Sequence, residues 1–336
     1  MKQLTLFFFT VLFLASCNQT PTAEKVDAPA KKTIAEMSDE ELRTYADELA
    51  HKFIIADGHV DLPYRLGTRF FRMYKELIGI PIESKEGDFD FKRAKAGGLD
   101  APFMSIYIPA AYQKSGGAKV YADSLISMID SISNVHSDKF QIAVTADQVE
   151  ANFKKGIISL PMGMENGAPI KELSDVQYYY DKGIRYVTLT HSKDNQISDS
   201  SYDTTGTHGG LSDYGKLVVE EMNKVGIMVD ISHVSDKAFY QAIELSKAPV
   251  IASHSSCRKF TPEWQRNMDD DMIRKLGEKG GVIHINFGST FLDSNIKKSA
   301  DSLRTVMKNL LAEKNLSDED SLAQPIIDEF KIVSKV

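Results

Sequence analysis

The chain has 336 residues, of which 42% are hydrophobic and 26% are charged, a composition typical of a soluble globular protein with one large core. The formal net charge is -7, and the sequence shows no basic stripe with interleaved aromatic residues. Both features argue against a polyanionic partner, so we expect that the protein does not bind nucleic acid.

The N-terminus is typical of an exported lipoprotein. A basic start is followed by LTLFFFTVLFLA, an apolar run too short for a permanent membrane-spanning helix, and the run ends in LASC. This tetrapeptide resembles a bacterial lipobox in which Cys17 receives lipid; the alternative is an ordinary signal peptide with an incidental cysteine. We therefore expect residues 1–16 to be a lipoprotein signal peptide and Cys17 to anchor the protein in the bacterial cell envelope, on the periplasmic or outer-membrane face.

The next segment, residues 17–37, is polar, contains Pro and Ala and lacks periodicity, which predicts a flexible tether. The folded domain, residues 38–336, is expected to begin with a helix. Ser38 suits an N-cap, and Glu41 follows it at the spacing of a capping box.

Helical and strand patterns then alternate along the chain. DVQYYYDKG, YGKLVVEEMNKVG, DKAFYQAIELSK and DDDMIRKLGEKGG are typical of helices, and an apolar, β-branched run follows each of them. The candidate strands are FIIADGHVD, APFMSIYIP, IISLPMGME, IRYVTLTH, IMVDISH, PVIASH and GVIHINFG. The alternation predicts an α/β fold, a (β/α)8 TIM-like barrel. A doubly wound sheet is the alternative, but the sequence has no glycine-rich phosphate-binding motif to support it.

Polar side chains that can bind metal stand at the carboxyl ends of several candidate strands. Side chains alternate along a strand, so the side chains of a His-x-Asp pair point to the same side. Each residue alone has an ordinary interpretation: a strand-end histidine is commonly a hydrogen-bonded core residue, and the acid in GMENG suits a turn. Their occurrence at successive strand ends predicts a metal site formed by His59, Asp61, Glu165, His233 and His254.

Three imidazoles and two carboxylates are too many ligands for one tetrahedral zinc ion. They suit two divalent ions that share a bridging carboxylate, an arrangement that activates water and polarises a carbonyl or phosphoryl oxygen. The predicted chemistry is therefore hydrolysis.

The motifs DGHVDLP, GMENG, GIRYVTLTHSKDN, GLSDYGKLVVEEMNKVGIMVDISHVS and APVIASHSSCR resemble those of the membrane dipeptidase (renal dipeptidase) family of zinc peptidases, in order and with compatible spacing. The resemblance runs from about Phe53 to about Phe287. It implies a (β/α)8 barrel with a binuclear zinc site that cleaves dipeptides and accepts a D-residue on the carboxyl side.

Residue by residue, the resemblance implies two Zn²⁺ ions bridged by Glu165. One ion is held by His59 and Asp61, and the other by His233 and His254.

The resemblance also implies two residues that contact the substrate. His191 matches a catalytic histidine beside the scissile carbonyl, and its alternative role is structural. Arg266 matches the arginine that holds the substrate carboxylate, with a surface arginine as the alternative.

The sequence departs from the family after the seventh candidate strand. The family's catalytic aspartate lies in a motif of the type GSDFDG at the end of an eighth strand, and this motif is absent here; a polar, helix-prone segment follows instead. Three interpretations remain open: a fragment of a longer product, a barrel completed by a separate chain, or a non-catalytic protein. Asp230 is a poor replacement acid, because its strand parity differs from that of His233.

We therefore expect a zinc-dependent dipeptidase that acts on small dipeptide substrates, is attached to the membrane through its N-terminal lipid and could form a homodimer. The alternatives are another amidohydrolase-type metal hydrolase and a non-catalytic zinc-binding lipoprotein.

Overall fold

The computed structural model describes residues 32–67, 81–85, 87–316, 323 and 326–327. The predicted signal peptide, Cys17 and most of the predicted tether lie outside these ranges and stay predictions. Within the described ranges, no helix is long and apolar enough to cross a membrane.

The chain divides into two compact units, 1–45 and 46–336. Helix α1 (Asp39–Lys52) begins in the first unit. The Ser38 hydroxyl accepts a hydrogen bond from the Glu41 N–H at 3.3 Å, and the Glu41 carboxylate accepts one from the Ser38 N–H at 2.8 Å. This reciprocal pair confirms the predicted capping box.

In the described part of the second unit, seven strands form one parallel sheet in the order β1-β2-β5-β6-β7-β8-β9. Two further strands, β3 and β4, pair with each other, also in parallel. The bounds are Ile55–Val60 (β1), Leu99–Tyr107 (β2), Phe140–Ile142 (β3), Ile158–Leu160 (β4), Met162–Glu165 (β5), Ile184–Thr188 (β6), Met228–Asp230 (β7), Ile251–Ser255 (β8) and Val282–Ile285 (β9).

This sheet is a nearly closed barrel. It confirms the predicted TIM-like α/β fold: each of the seven candidate strands contributes to this sheet, and the described residues add no eighth strand to it. The segment IISLPMGME, predicted as one strand, is instead split between β4 and β5 at Pro161. Pro161 has no N–H to donate to a strand ladder, although its carbonyl accepts a hydrogen bond from the Met104 N–H at 2.8 Å. The small β3–β4 sheet was not predicted.

The other helices in the described part of the second unit lie between and after the strands along the chain. They are Leu62–Gly67 (α2), Phe91–Ala96 (α3), Ala111–Ser115 (α4), Ala118–Val135 (α5), Ala146–Lys154 (α6), Ser174–Asp181 (α7), Asp213–Val225 (α8), Asp236–Leu245 (α9), Asp270–Glu278 (α10), Ser289–Leu292 (α11) and Ser294–Glu313 (α12), with a 3-10 turn at Arg258–Phe260. The four helices predicted from the alternating pattern are α7 to α10, and α12 lies within the helix-prone C-terminal segment.

Serine side chains cap the N-termini of two of these helices, and a glycine ends the first of the two. Ser212 and Ser235 cap α8 and α9 by accepting a hydrogen bond from the N–H three residues on. Gly226 ends α8 in the left-handed conformation, with φ 95°, which glycine adopts without steric cost. The chain therefore turns directly from α8 into β7.

Register places polar residues in one row at the carboxyl ends of the central strands. Tyr107 of β2 pairs with Glu165 of β5, Glu165 pairs with Thr188 of β6, and Thr188 pairs with Asp230 of β7. Apolar side chains in the same strands, such as Met164, are fully buried. The row therefore forms a polar layer above an apolar barrel interior.

The outer strands β1 and β9 have a hydrogen-bonded neighbour on one side only within the described chain. β1 nevertheless approaches β8 closely: a Cβ atom added to Gly58 would lie 2.2 Å from the Ser253 carbonyl oxygen and 2.8 Å from the His284 ring. Only glycine allows the backbone to pass at this distance. The absence of a side chain at Gly58 thus brings the end of β1 next to the end of β8.

Candidate metal centre

Glu165 is the centre of the polar layer. It ends β5, is 3% exposed, and its Oε2 accepts a hydrogen bond from the Ser105 hydroxyl at 3.3 Å. The next residue, Asn166, is in the left-handed region with φ 81°, as the predicted Asn-Gly turn requires. The turn and the strand together hold the Glu165 carboxylate inside the barrel mouth, so Glu165 is more than a turn acid.

His59 and His254 face one side of this carboxylate. Their rings stack with centroids 3.8 Å apart, a contact that the close passage of β1 over β8 makes possible. The His59 Nε2 lies 3.3 Å from Glu165 Oε2, and the His254 Nε2 lies 3.2 Å from Glu165 Oε1.

His191 and His233 complete the set on the other side. Their Nε2 atoms lie 3.4 Å and 3.1 Å from Glu165 Oε1, and their ring centroids are 4.2 Å apart. His233 has φ 69°, a left-handed conformation that is uncommon outside glycine and costs energy. Strained backbone of this kind is concentrated at functional sites.

The structure therefore forms two groups around one carboxylate, each with its ligand atoms within 4.8 Å of one another: His59 with Glu165 and His254, and Glu165 with His191 and His233. The predicted pairing of His59 with Asp61 and of His233 with His254 stays a prediction, and the members of each pair also lie close together. Asp61 lies at the rim, with its side chain 48% exposed and Oδ1 3.4 Å from the His59 Nε2. The structure thus brings all five predicted ligands and His191 together, with Asp61 the outermost.

The charges within this cluster are strongly coupled. Burial raises the pKa of Glu165, but its interactions with His59 and with the other histidines around it outweigh burial and hold the pKa well below its usual range. Burial lowers the pKa of His59, yet the charge of Glu165 and the contact with Asp61 raise it well above its usual range. Burial, aided by the charge of His59, lowers the pKa of His254 to about 4. The metal-free centre therefore contains a charged His59–Glu165 pair and a neutral His254.

Arg266 reaches the cluster from the loop after β8 and is not a surface residue, since it is only 2% exposed. Its Nη1 donates to the Ser255 hydroxyl at 2.7 Å, and its Nη2 lies 3.0 Å from the His233 Nε2. Nη2 also donates to the His254 carbonyl. The guanidinium is thus fixed against two of the four histidines that face Glu165.

The donor set fits metal ions better than protons. The Nε2 atoms of His233 and His254 are 2.8 Å apart, and both face Glu165 Oε1. A single proton between the two nitrogens forms one hydrogen bond only. The lone pair of the other nitrogen then still faces the carboxylate oxygen of Glu165. Cations placed among these acceptors satisfy all of them, and imidazole with carboxylate suits divalent transition metals.

Sequence reasoning missed the polar residues that support the ligands from behind. The Tyr186 hydroxyl donates to the Gly58 carbonyl at 3.0 Å and lies 3.2 Å from the His59 Nδ1. A Cβ atom on Gly163 would lie 2.0 Å from the Tyr186 ring, so this glycine makes room for the tyrosine. The alternation of side chains along β6 could have indicated these residues. Tyr186 and Thr188 are two positions apart, so they share one face of the strand, and both are polar and fully buried.

A model of the membrane dipeptidase family, peptidase family M19, matches residues 43–313. The chain belongs to this family. The resemblance noted from the motifs is thereby confirmed.

Curated relatives agree with this assignment. Dipeptidase tcpJ from Claviceps purpurea is 35% identical over 239 residues, which cover 69% of this chain and 56% of that protein. Dipeptidase 3 from Rattus norvegicus is 30% identical over 285 residues, which cover 80% of this chain and 56% of that protein. The chain thus spans little more than half the length of these two relatives.

Solved structures support the fold. A probable dipeptidase, PvdM, from Pseudomonas aeruginosa superposes with a TM-score of 0.69 at 24% identity, covering 85% of this chain and 72% of that one. A metallo peptidase from Rhodobacter sphaeroides, liganded with a phosphinate mimic of the dipeptide L-Ala-D-Ala, superposes with a TM-score of 0.64 at 24% identity, covering 72% of this chain and 76% of that one.

Proposed function

We propose that the protein is a zinc-dependent dipeptidase whose centre holds two Zn²⁺ ions bridged by Glu165. The observation that carries the proposal is the approach of four imidazole Nε2 atoms to one buried carboxylate, each within 3.4 Å of its oxygens. His59, Asp61, His233 and His254 are the proposed remaining ligands. When bound, two such ions lower the pKa of a water molecule toward about 7 and polarise the substrate carbonyl.

His191 is the proposed group that stabilises the developing oxyanion. Its ring lies beside the centre, packed 4.7 Å from the Tyr107 ring between centroids. Burial lowers the pKa of His191, so the ring is neutral near neutral pH and carries one N–H to donate. A fixed donor inside a buried site stabilises charge that appears in the transition state.

Arg266 is the proposed anchor for the substrate carboxylate. A guanidinium offers a planar fork that matches a carboxylate, and its charge is retained even when it is buried. Nη2 is the nitrogen that faces the centre, and a substrate carboxylate bound there replaces His233 as its partner. Anchoring the free carboxylate selects dipeptides over longer peptides, in which that end is extended.

A test follows from this anchor. Hydrolysis is measured for a dipeptide and for the same dipeptide with its carboxyl group amidated, using protein stripped of metal and then reloaded with zinc. We expect cleavage of the free dipeptide by the reloaded protein only, and at least ~100-fold slower cleavage of the amide, a loss of about 2.7 kcal/mol of transition-state stabilisation. Arg266→Lys should weaken this discrimination, whereas Arg274→Lys, at a 61% exposed side chain, should preserve it.

A non-catalytic zinc-binding protein is the second candidate. Cleavage of an amide needs a proton for the leaving amine, worth roughly 10²- to 10⁴-fold, so metal binding alone does not establish hydrolysis. Zinc binding without hydrolysis of any dipeptide tested would support this candidate and contradict the dipeptidase.

A further inference from the structure

Asp230 lies directly behind the metal centre. It is fully buried, and its carboxylate accepts hydrogen bonds from the N–H groups of Ser232 at 3.1 Å and Ser253 at 2.9 Å. The hydroxyls of Thr188 and Ser253 donate to its other oxygen, the latter at 2.6 Å. Four donors directed at one carboxylate hold it in place as an acceptor.

The Ser253 hydroxyl connects this carboxylate to a metal ligand. It lies 2.6 Å from Asp230 Oδ2 and 2.8 Å from the His254 Nδ1. A serine hydroxyl has one proton, and an ionised carboxylate can only accept. Ser253 therefore donates to Asp230, and the hydrogen bond to His254 requires the proton to be on Nδ1.

An imidazole that has its proton on Nδ1 presents a lone pair at Nε2. Nε2 is the atom that faces Glu165 Oε1 at 3.2 Å. By contrast, the buried Nδ1 atoms of His191 and His233 have no hydrogen-bond partner among the described residues. The tautomer of His254 is thus determined by its surroundings.

We propose that Asp230 and Ser253 are positioning residues of the metal centre, which fix His254 as the Nδ1–H tautomer and so present an unprotonated Nε2 to the ion. This inference rests on the proposed function in that it assumes a metal at Glu165. Residues that hydrogen-bond to the second nitrogen of a metal-binding histidine fix the orientation of its ring and raise metal affinity. Their removal typically lowers the affinity by about 10- to 100-fold.

Two substitutions distinguish control of the His254 tautomer by hydrogen bonds from a role of these residues in packing alone. Asp230→Asn retains an oxygen for the two backbone N–H groups and places an NH₂ opposite Ser253. The Ser253 hydroxyl must then accept from the amide and donate to His254, which moves the ring proton to Nε2. Ser253→Ala removes the hydroxyl and leaves both tautomers accessible. Ser159→Ala is the matched control, since Ser159 is also fully buried in a strand and bonds to Asn152, away from the centre.

The experiment measures histidine ¹⁵N chemical shifts of the metal-free protein and zinc affinity by competition with a chelator. The His254 signal is assigned by its loss in His254→Gln. We expect the Nδ1–H tautomer in the wild type and in Ser159→Ala, the Nε2–H tautomer in Asp230→Asn, and at least ~10-fold weaker zinc binding in Ser253→Ala than in Ser159→Ala.

An Nε2–H tautomer in the wild type would overturn the inference, and so would equal zinc affinity in the two serine variants. If Asp230→Asn does not fold, the two serine variants still decide. Failure of the wild type to bind zinc would contradict the proposed function instead, because the tautomer is measured without metal and is decided separately.

Discussion

The middle and the edges of the barrel sheet are built from similar residues but have different surroundings. Val187 in β6 is fully buried, whereas Val282 in β9 is 51% exposed and Ile55 in β1 is 37% exposed. A β-branched apolar pattern therefore produces a strand in both places, and the neighbouring strands decide how much of it is covered. The metal centre depends on both regions, because Glu165 comes from the middle strand β5 and His59 from the edge strand β1.

The largest expected effect is at the point where an edge strand meets the middle. Gly58→Ala places a methyl group 2.2 Å from the Ser253 carbonyl oxygen, so β1 must move away from β8. We expect the free energy of unfolding, measured by urea denaturation of the metal-free protein, to fall by about 3 kcal/mol or more.

Gly277→Ala is the control, because Gly277 is inside helix α10 and a Cβ atom there meets nothing within 4 Å. This change should stabilise the protein by about 0.5–1 kcal/mol. If Gly58→Ala unfolds at the same urea concentration as the wild type, β1 does not pass β8 as described.

Two valines, one in the middle strand β6 and one in the edge strand β9, test the difference in burial between the middle and the edge of the sheet. Val187→Ala should lower the free energy of unfolding by about 2 kcal/mol through lost burial and the cavity left behind, whereas Val282→Ala should cost less than about 0.5 kcal/mol. Both values come from urea denaturation under the same conditions. Equal costs would mean that the β9 edge is covered in solution, by a further strand or by a second copy of the chain.

A smaller effect is expected at Asp175, in the first turn of helix α7. The Asp175 carboxylate accepts hydrogen bonds from the N–H groups of Lys171 and Glu172 and pairs with Lys119 at 2.6 Å. Burial raises the pKa of Asp175, but the Lys119 side chain and the two N–H groups lower it more, so the net shift is downward. Because Lys119 is 45% exposed, solvent screening limits the pair, and Asp175→Asn should cost about 1 kcal/mol at about pH 7.

The sign of the pH dependence follows from that shift. A carboxyl group whose pKa is lower in the folded state stabilises the fold above its ordinary pKa of 3.8 and loses this effect as the pH falls through the folded value. The difference between wild type and Asp175→Asn should therefore shrink below pH 3.8. Asp181→Asn, at the exposed end of the same helix, should change stability by less than about 0.5 kcal/mol, and an equal loss there would contradict the account.

Much of the fold could be predicted from sequence because local patterns determine it. Apolar runs after Gly183 and Gly226 marked strands, and each glycine does end a turn with positive φ. The β3–β4 sheet escaped prediction, because three-residue strands such as Phe140–Ile142 are too short to show a period.

The residues of the candidate site could be predicted from sequence, but the packing of their side chains against one another could not. Strand ends identified His59 and Glu165, since the carboxyl ends of parallel strands meet at one face. The stacking of His59 on His254 was not predictable, because it depends on the close passage at Gly58, a contact between distant parts of the chain. The support from Ser253 was missed for a related reason: its role depends on Asp230, which lies on another strand.

The central claim is that Glu165 organises a centre for two metal ions. The most direct measurement is a calorimetric titration of the metal-free protein with zinc, compared with Glu165→Gln and with Glu244→Gln at an exposed position of α9. The account predicts about two zinc ions per chain for the wild type and Glu244→Gln, and at least ~100-fold weaker binding for Glu165→Gln. Absence of zinc binding by the wild type, or unchanged binding by Glu165→Gln, would contradict it.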